Sequence, residues 1–273
     1  MQAVSIAVAS GKGGTGKSFL AVNLAVGIWD RGHQITLVDC DFGLGNAHLL
    51  LGLNPRLTIQ HVLGGQVGID DARVRTAYGP WLVPGGSGIS SLADLDEARM
   101  LLLARALDRL SATQDVLLLD ASAGIAPQGL ATLLAAQHVV LVTNPEIAAI
   151  TDAYALIKCL ARQESQPSVL VVINRVRTPE QGLATFQRLN EVSQRFCGCA
   201  LHYLGAIPEE PAVSHRRLGQ APLLTSQPEC AASRSIQTIL DQLSLATGGF
   251  QARSTPREAT LEVRMRRQLM LHS

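Results

Sequence analysis

The stretch GKGGTGKS, residues 11–18, follows a short apolar run and precedes a helical pattern. Its spacing satisfies G-x-x-x-x-G-K-[ST], the pattern of a phosphate-binding loop between a strand and a helix. Glycines let backbone N–H groups converge on phosphate oxygens, and the helix N-terminus adds a partial positive charge. The pattern predicts that Lys17 reaches the β- and γ-phosphates of a nucleotide and that the Ser18 hydroxyl ligates Mg²⁺. A glycine-rich turn with solvated lysines is the alternative, which the flanking strand and helix disfavour.

Short apolar runs alternate with longer helical stretches along the rest of the chain. Several runs are apolar almost throughout, which is typical of strands covered on both faces of a parallel sheet. The alternation predicts an α/β fold with a doubly wound, mostly parallel sheet and helices on both faces. Strands are expected at 4–9, 35–39, 81–84, 116–120, 138–143, 169–174 and 203–207, and helices at 17–29, 92–110, 148–162 and 179–195.

The composition narrows the class of protein. The 273 residues are 47% hydrophobic but only 4% aromatic, so the core is expected to be aliphatic. A net charge of +1 argues against a surface that binds nucleic acid throughout. No apolar run reaches the roughly 18 residues of a membrane-spanning helix, and no signal peptide is apparent. The five cysteines include no CxxC pair, which favours free thiols in a reducing cytosol over a metal site at "CGC", 197–199.

Acidic residues follow two of the expected strands, in "VDCDFGLGN" (38–46) and "LLLDASAG" (117–124). Asp120, at a strand end beside a phosphate loop, suits a Walker-B aspartate that supports Mg²⁺ through water. Asp39 and Asp41 are two residues apart, so an extended chain places both on the same side. One of them would orient or deprotonate an attacking water, and the other would support the metal. Helix-capping or turn aspartates are the alternative.

The composition changes near residue 247, which predicts one globular domain over 1–246 and a linker with a short basic helix over 247–273. Residues 250–273 contain five Arg and two Glu, a formal charge of +3. Leu261, Met265 and Leu269 recur at helical spacing on one face. This pattern favours a basic amphipathic helix that lies on an anionic membrane surface. A helix packed on the domain, or a frayed tail, is the alternative.

The extra lysine of the loop, Lys12, makes "KGGTGKS" similar to the deviant Walker A motif of the MinD/ParA group of SIMIBI-type P-loop ATPases. The resemblance implies an ATP-dependent homodimer in which Lys12 touches the phosphates held by the partner subunit. It implies ATP and Mg²⁺ as cofactors, with Lys12, Lys17 and Asp41 as catalytic residues. "DCDFGLGN" resembles the first switch of this group, with Asp41 positioning water, and "DASAG" resembles the second, with Asp120.

The same resemblance extends to the residues that hold the nucleotide and the metal. Asn174, whose amide can pair with the adenine edge, and Pro208 would recognise the base. Glu146 would contact nucleotide across the dimer. The nucleotide contacts implied are Gly11, Lys12, Gly13, Gly14, Thr15, Gly16, Lys17, Ser18, Phe19, Glu146, Asn174, Arg175 and Pro208, and the metal contacts are Ser18, Asp39 and Asp120. A strand-end asparagine, a turn proline and a surface glutamate are the alternatives.

Five further segments resemble the flagellar-number regulators within this group, the FleN/FlhG branch: "NPEIAAITDAYALIKCL" (144–160), "VLVVINRV", "RFCG", "LHYLGAIPEE" and "ASRSIQTI". The resemblance spans about residues 3–245. It implies a slow, partner-dependent ATPase that binds an NtrC-type flagellar activator and acts with an SRP-type GTPase at the cell pole. It implies a cytoplasmic protein with peripheral contact at the inner membrane or pole, and no sequence-specific nucleic-acid binding of its own.

The sequence departs from that branch at several positions. His48 stands where an acidic residue is usual, Ala126 and Pro127 where a small residue and an aspartate are usual, and Glu210 where aspartate is common. These substitutions alter both switch neighbourhoods and predict weaker hydrolysis or a weaker response to partners. Branch members often begin with an N-terminal extension that stimulates the partner GTPase; this sequence starts at its first strand, so that stimulation is not expected.

Four other functions stay open. They are a divergent ParA/MinD-like positioning ATPase for another polar or DNA cargo, a nucleotide-binding scaffold with little turnover, an ATP-dependent amidating synthetase, and an iron–sulfur relative. Cys40, Cys197 and Cys199 are poorly placed for the last.

Overall fold

The computed structural model describes residues 1–43, 45–86, 96–162, 166–252 and 260–270. For residues 269 and 270 it describes only the backbone. Its elements in chain order are β1 (Val4–Ala9), α1 (Lys17–Asp30), β2 (Ile35–Cys40), α2 (Ala47–Leu50), α3 (Ile59–Leu63), α4 (Ile69–Ala72), β3 (Val74–Arg75), β4 (Trp81–Val83), α5 (Glu97–Ser111), β5 (Val116–Ala121), α6 (Pro127–Ala135), β6 (His138–Thr143), α7 (Ile147–Ala161), β7 (Ser168–Val176), α8 (Pro179–Cys197), β8 (His202–Pro208), α9 (Pro211–Ser214), α10 (Leu223–Ser226), α11 (Ala231–Thr247) and α12 (Leu261–Met270).

Within those residues, eight strands form one sheet in the order β3-β4-β2-β5-β1-β6-β7-β8. All neighbouring strands are parallel except β3 and β4, which pair antiparallel at one edge. Strands β1, β2 and β5 are buried at every position, because helices cover both faces of the sheet. The doubly wound α/β prediction is confirmed. Loops that follow the parallel strands meet at one edge, where such sheets bind ligands.

The two faces of the sheet carry separate cores, both mainly aliphatic. One core packs α1, α10 and α11 against the sheet, and the other packs α3 to α8 together with α12. All five cysteines are free thiols. No helix in the described ranges combines the length and the apolar character needed to cross a bilayer.

The expected elements have boundaries within a few residues of the observed ones, apart from α5. Helices α6 and α11 and strand β3 are not among the expected elements. Helix α5 begins at Glu97, where the Asp96 side chain accepts a hydrogen bond from the Arg99 N–H at 2.8 Å; the earlier part of the expected helix, 92–95, lies outside the described residues. Strand β3 has only two residues, too few for a pattern. Helix α6 is followed almost at once by β6, and their merged apolar run hides the change from helix to strand.

The tail helix α12 packs against the domain. Leu261 and Met265 are buried in the core shared by α5, α6 and the sheet. The backbone N–H groups of Leu261 and Glu262 donate to the Asp108 carboxylate at 2.9 and 3.0 Å, which caps the helix N-terminus. Leu261 and Met265, two residues of the face expected to contact a membrane, are therefore covered, and the structure has the alternative arrangement, a helix packed on the domain. Leu271 and the side chain of Leu269 lie outside what the structure describes.

Candidate functional site

The glycine-rich loop lies between β1 and α1, at the edge of the sheet where the parallel strands end. Gly16 precedes the helix with φ 97°, in the left-handed region that favours glycine. A Cβ at Gly16 would lie 2.3 Å from the Asn174 amide nitrogen, so a side chain there would also clash. No side chain caps the first turn of α1, whose N–H groups are therefore available to an anion.

A buried ion pair lies at the start of α1. Lys17 Nζ is 2.6 Å from Asp120 Oδ1, and the two side chains are only 8% and 1% exposed. Lys17 Nζ also lies 3.3 Å from the Ser18 hydroxyl. Burial raises the pKa of Asp120, and the nearby Lys17 charge opposes that rise. The structure thus brings together the three residues that the motif assigns to phosphate and Mg²⁺.

Asp39 lies directly beside Asp120, because the two residues are in register on neighbouring strands β2 and β5. Its carboxylate accepts hydrogen bonds from the backbone N–H groups of Asp41 and Ala47, both at 3.1 Å. Burial, followed by the Asp120 charge, raises the pKa of Asp39 to about 7. Asp39 therefore anchors the segment that carries Asp41. Asp41 is half-buried, and its charge contributes to raising the pKa of Asp120.

Two buried oxygen atoms in this region have no hydrogen-bond partner among the described residues: Asp120 Oδ2 and Thr15 Oγ1. Such atoms are costly unless a ligand or water satisfies them. No group of three His, Cys, Asp or Glu residues in the described ranges could hold a metal by itself. Mg²⁺ is usually held by one or two carboxylates together with substrate phosphates. The hydroxyl and carboxylate oxygens present here fit Mg²⁺ bound with a nucleotide.

A cavity of about 510 Å³ adjoins the loop. It is lined by Gly16, Phe19, Asn174, Arg175 and Pro208, all expected nucleotide contacts. Asn174 Nδ2 donates to the Thr15 carbonyl at 2.7 Å, and its Oδ1 accepts from the Arg175 N–H at 2.9 Å. These bonds orient the amide and leave one N–H and one lone pair for a ligand.

The far wall of this cavity was not anticipated from the sequence. It is formed by α9 and the following loop, through Val213, Ser214, Arg216, Arg217, Leu218 and Gln220. The Arg216 guanidinium donates to the carbonyl oxygens of Gln220 and Ala221, which holds the loop closed on itself. This wall depends on chain segments that meet only in the folded protein, and no motif marks it.

Lys12 lies outside the cavity. Its Nζ is 2.8 Å from Glu146 Oε2, and both side chains are substantially exposed. The hydrogen bond and the charge of Lys12 lower the pKa of Glu146. The two residues expected to act across a dimer interface thus pair with each other within one chain.

The atypical residues have local structural roles. Pro127 is the first residue of α6, a position where its missing N–H is no loss. The Glu210 carboxylate accepts from the N–H groups of Ala231 and Ala232, at the start of α11. His48 is partly buried on α2, and burial lowers its pKa.

Residues 6–223 match the family described as the CobQ/CobB/MinD/ParA nucleotide binding domain. The chain belongs to this MinD/ParA family. Relatives within the family extend the likeness over most of the chain. The chain is 36% identical over 238 residues to the antiactivator FleN of Pseudomonas aeruginosa, covering 87% of this chain and 85% of FleN. It is 33% identical over 250 residues to the flagellum site-determining protein YlxH of Helicobacter pylori, covering 90% and 84%.

Solved MinD proteins share the fold of this MinD/ParA-family chain. The cell division ATPase MinD of Pyrococcus furiosus superimposes with a TM-score of 0.75 and 26% identity, covering 90% of this chain and 100% of that one. MinD of Pyrococcus horikoshii, solved with Mg-ADP, gives a TM-score of 0.75 and 25% identity, covering 89% and 97%. The expected family is therefore confirmed by sequence and by structure.

Proposed function

We propose that this chain is an ATP-dependent switch: it binds Mg·ATP, forms a homodimer, and returns to the monomer after hydrolysis. The observation that carries the proposal is the buried Lys17–Asp120 ion pair. The second carboxylate oxygen of this pair, Asp120 Oδ2, has no hydrogen-bond partner among the described residues. A buried charge pair next to a helix N-terminus and an open cavity suits a site for a charged ligand. The family match and the MinD structures support nucleotide as that ligand.

Each group at the site has a task in this proposal. Lys17 and the N–H groups of the loop bind the phosphates, and the Ser18 hydroxyl and Asp120 hold Mg²⁺, with Asp39 behind them. When bound, Mg²⁺ neutralises the charge that develops on the transferred phosphoryl group. Asp41 orients the attacking water; it lies on the segment that Asp39 anchors, close enough for its charge to act on Asp120. Asn174, Arg175 and Pro208 hold the adenine.

Lys12 would change partners in this cycle. In the single chain its charge is neutralised by Glu146 at the surface, so it contributes nothing to its own phosphate site. Exposed pairs of this kind are screened by solvent and contribute little to stability, so the exchange of partners costs little. In the dimer, Lys12 would contact the phosphates bound by the partner subunit and Glu146 the partner's nucleotide, which couples hydrolysis to assembly.

Light scattering with the Asp41→Ala variant tests the switch. The variant is expected to bind ATP as tightly as the unmodified chain and to accumulate as a dimer, because only turnover is removed. Glu191→Ala, which removes an exposed carboxylate on α8, is the matched control and should behave as the unmodified chain. An Asp41→Ala protein that stays monomeric in saturating Mg·ATP would show that Asp41 does not have this role.

The regulatory task proposed for the switch is control of flagellar number or biosynthesis. The similarity to FleN and YlxH over more than four-fifths of each protein supports it. The partner would be an NtrC-type flagellar activator, an SRP-type flagellar GTPase, or both. Affinity capture with Asp41→Ala, compared with Lys17→Ala as a nucleotide-free control, is expected to enrich one of these proteins. Equal recovery on both variants would contradict ATP-dependent partner binding.

A positioning ATPase for another cargo is the second candidate, because the fold also superimposes on MinD proteins with a TM-score of 0.75. ATP turnover measured with anionic vesicles, with DNA and with the flagellar partners distinguishes the two. Stimulation by vesicles or DNA alone would favour positioning. Nucleotide binding without turnover under every condition would identify a scaffold.

A further inference from the structure

Both tryptophans of the chain lie at its surface and stack with arginines. The Arg75 guanidinium carbon is 4.1 Å from the centre of the Trp29 ring and 5.2 Å from that of Trp81. The Arg73 guanidinium carbon lies 4.6 Å from the centre of Trp81. We name these four residues, Trp29, Arg73, Arg75 and Trp81, the Trp–Arg ladder. Aromatic residues make up only 4% of this protein, so two half-exposed indoles in one place are notable.

The fold holds the ladder in place. Arg75 and Trp81 are paired directly across the antiparallel strands β3 and β4. The turn between those strands contains Gly79, whose φ is 104°, and a Cβ there would lie 2.0 Å from the Trp29 ring. Trp29 therefore lies directly against the backbone of this turn, and its ring has little freedom to leave Arg75. Tryptophan and arginine held rigid at a surface are the residue types that dominate binding energy at protein interfaces.

Arg75 is prepared to bind an anion. A guanidinium that stacks on aromatic faces keeps its N–H donors free in its own plane, where they can bind a carboxylate with two hydrogen bonds. Arg75 is exposed, and it forms no ion pair with any other residue of the described ranges. Arg73, in contrast, forms an ion pair: its guanidinium nitrogen lies 3.7 Å from Asp70 Oδ1.

The surroundings indicate what kind of anion fits. β3 is the outermost strand of the described sheet, so its outer backbone groups can pair with an added strand. Asp70 and Asp71 precede Arg73 in the chain. Asp70 lies 2.7 Å from Arg109 and 3.7 Å from Arg73, so the two aspartates offset two of the three arginine charges in this region. A nucleic acid gains affinity from many phosphate contacts, and a ladder with one uncompensated cation offers few. An extended peptide needs only one carboxylate to pair with Arg75, and its backbone can form hydrogen bonds with the outer edge of β3.

We propose that the Trp–Arg ladder and the outer edge of β3 form a docking site for an extended acidic segment of a partner protein. The site lies at the amino ends of the strands, opposite the nucleotide. Trp29 is twelve residues beyond Lys17 on α1, a distance of about 18 Å at 1.5 Å per residue. Docking there leaves the proposed dimer face and the nucleotide site accessible, so it does not depend on ATP.

Intrinsic fluorescence tests the site directly, because Trp29 and Trp81 are the only tryptophans. The full chain is titrated with a blocked peptide of alternating Glu and Thr, and with its counterpart of alternating Gln and Thr. The acidic peptide is expected to change the emission in a saturable way, equally with and without Mg·ATP, and the neutral peptide is not. Arg75→Gln should weaken binding by about tenfold or more, because the two-bond contact is lost. Arg75→Lys, which keeps the charge without the planar fork, should weaken it less.

Arg195→Gln is the matched control. Arg195 is also exposed and stacks on an aromatic ring, Phe196 at 5.2 Å, on a different part of the surface. Thermal unfolding of each variant is measured to check that its fold is kept. The proposal is overturned if the neutral peptide binds as well as the acidic one, if Arg75→Gln binds like Arg195→Gln, or if no titration changes the emission. Stronger binding of oligothymidine than of the acidic peptide would instead identify a nucleic-acid site.

Discussion

Replacing Lys17 with alanine should destabilise the nucleotide-free protein, apart from any effect on binding. Lys17 and Asp120 form a nearly buried pair, and Asp39 lies in register beside Asp120. Removal of one partner from a buried pair leaves an uncompensated charge and costs about 3–5 kcal/mol. We expect about 3 kcal/mol at pH 8, the lower end of that range, because Asp120 can bind a proton in response. For a chain of this size this corresponds to a fall of roughly 6–12 °C in the melting temperature.

The stability lost in Lys17→Ala should increase as the pH rises. Burial already raises the folded-state pKa of Asp39 to about 7, from 3.8. The stability contributed by such a group is fully present below its unfolded pKa and is lost as the pH rises through the folded pKa. Without Lys17, which lowers the pKa of both carboxyl groups, these values rise further. The free energy of unfolding of Lys17→Ala should therefore differ least from that of the unmodified protein near pH 5 and most near pH 8.

Denaturant unfolding of nucleotide-free protein at several pH values measures this effect. Lys12→Ala is the matched control, because it removes a lysine from the same loop whose partner Glu146 is exposed. Lys12→Ala should leave the free energy of unfolding nearly unchanged at every pH, because solvent screens this exposed pair. Adding Asp120→Asn to Lys17→Ala should restore part of the lost stability, because the orphaned charge is gone. Equal unfolding of Lys17→Ala and Lys12→Ala at pH 8, or a difference that does not vary with pH, would show that Lys17 does not compensate a buried charge on Asp120.

Three further predictions follow from the site and the tail. Lys12→Ala should retain ATP binding by calorimetry but lose turnover; normal turnover in a phosphate-release assay would rule out a role in the partner's site. Asn174→Ala should weaken ATP binding and reduce the preference for ATP over GTP, because the amide that would read the adenine edge is lost; an unchanged preference in competition binding would place base recognition elsewhere. Met265→Ala should lower the free energy of unfolding by about 2–4 kcal/mol, since the side chain is fully buried against the domain. Stability equal to that of Arg267→Ala, an exposed change on the same helix, would show that α12 does not pack as described.

Much of the fold could be read from local patterns. The apolar strands and the phosphate loop between β1 and α1 predict a parallel sheet with its site at the carboxyl edge. The positions of Lys17, Asp39 and Asp120 near that edge follow from the same logic. Strand register then decides how close they lie: Asp39 and Asp120 become direct neighbours, and that proximity helps to raise the pKa of Asp39.

The tail shows where local patterns are insufficient. Leu261 and Met265 form an apolar face by sequence alone, but a face does not specify what covers it. The structure covers it with α5 and α6, and Asp108 caps its N-terminus.

The sequence by itself determined the fold class, the phosphate loop and the family, because each depends on residues close together in the chain. Only the tertiary structure decided that Lys12 pairs with Glu146, that a loop after α9 closes the base cavity, and that Arg75 stacks between two tryptophans. Apart from the Arg75–Trp81 pair across a short hairpin, these contacts join residues far apart in sequence. Their energies come from packing and from charges that meet after folding, which no local spacing encodes.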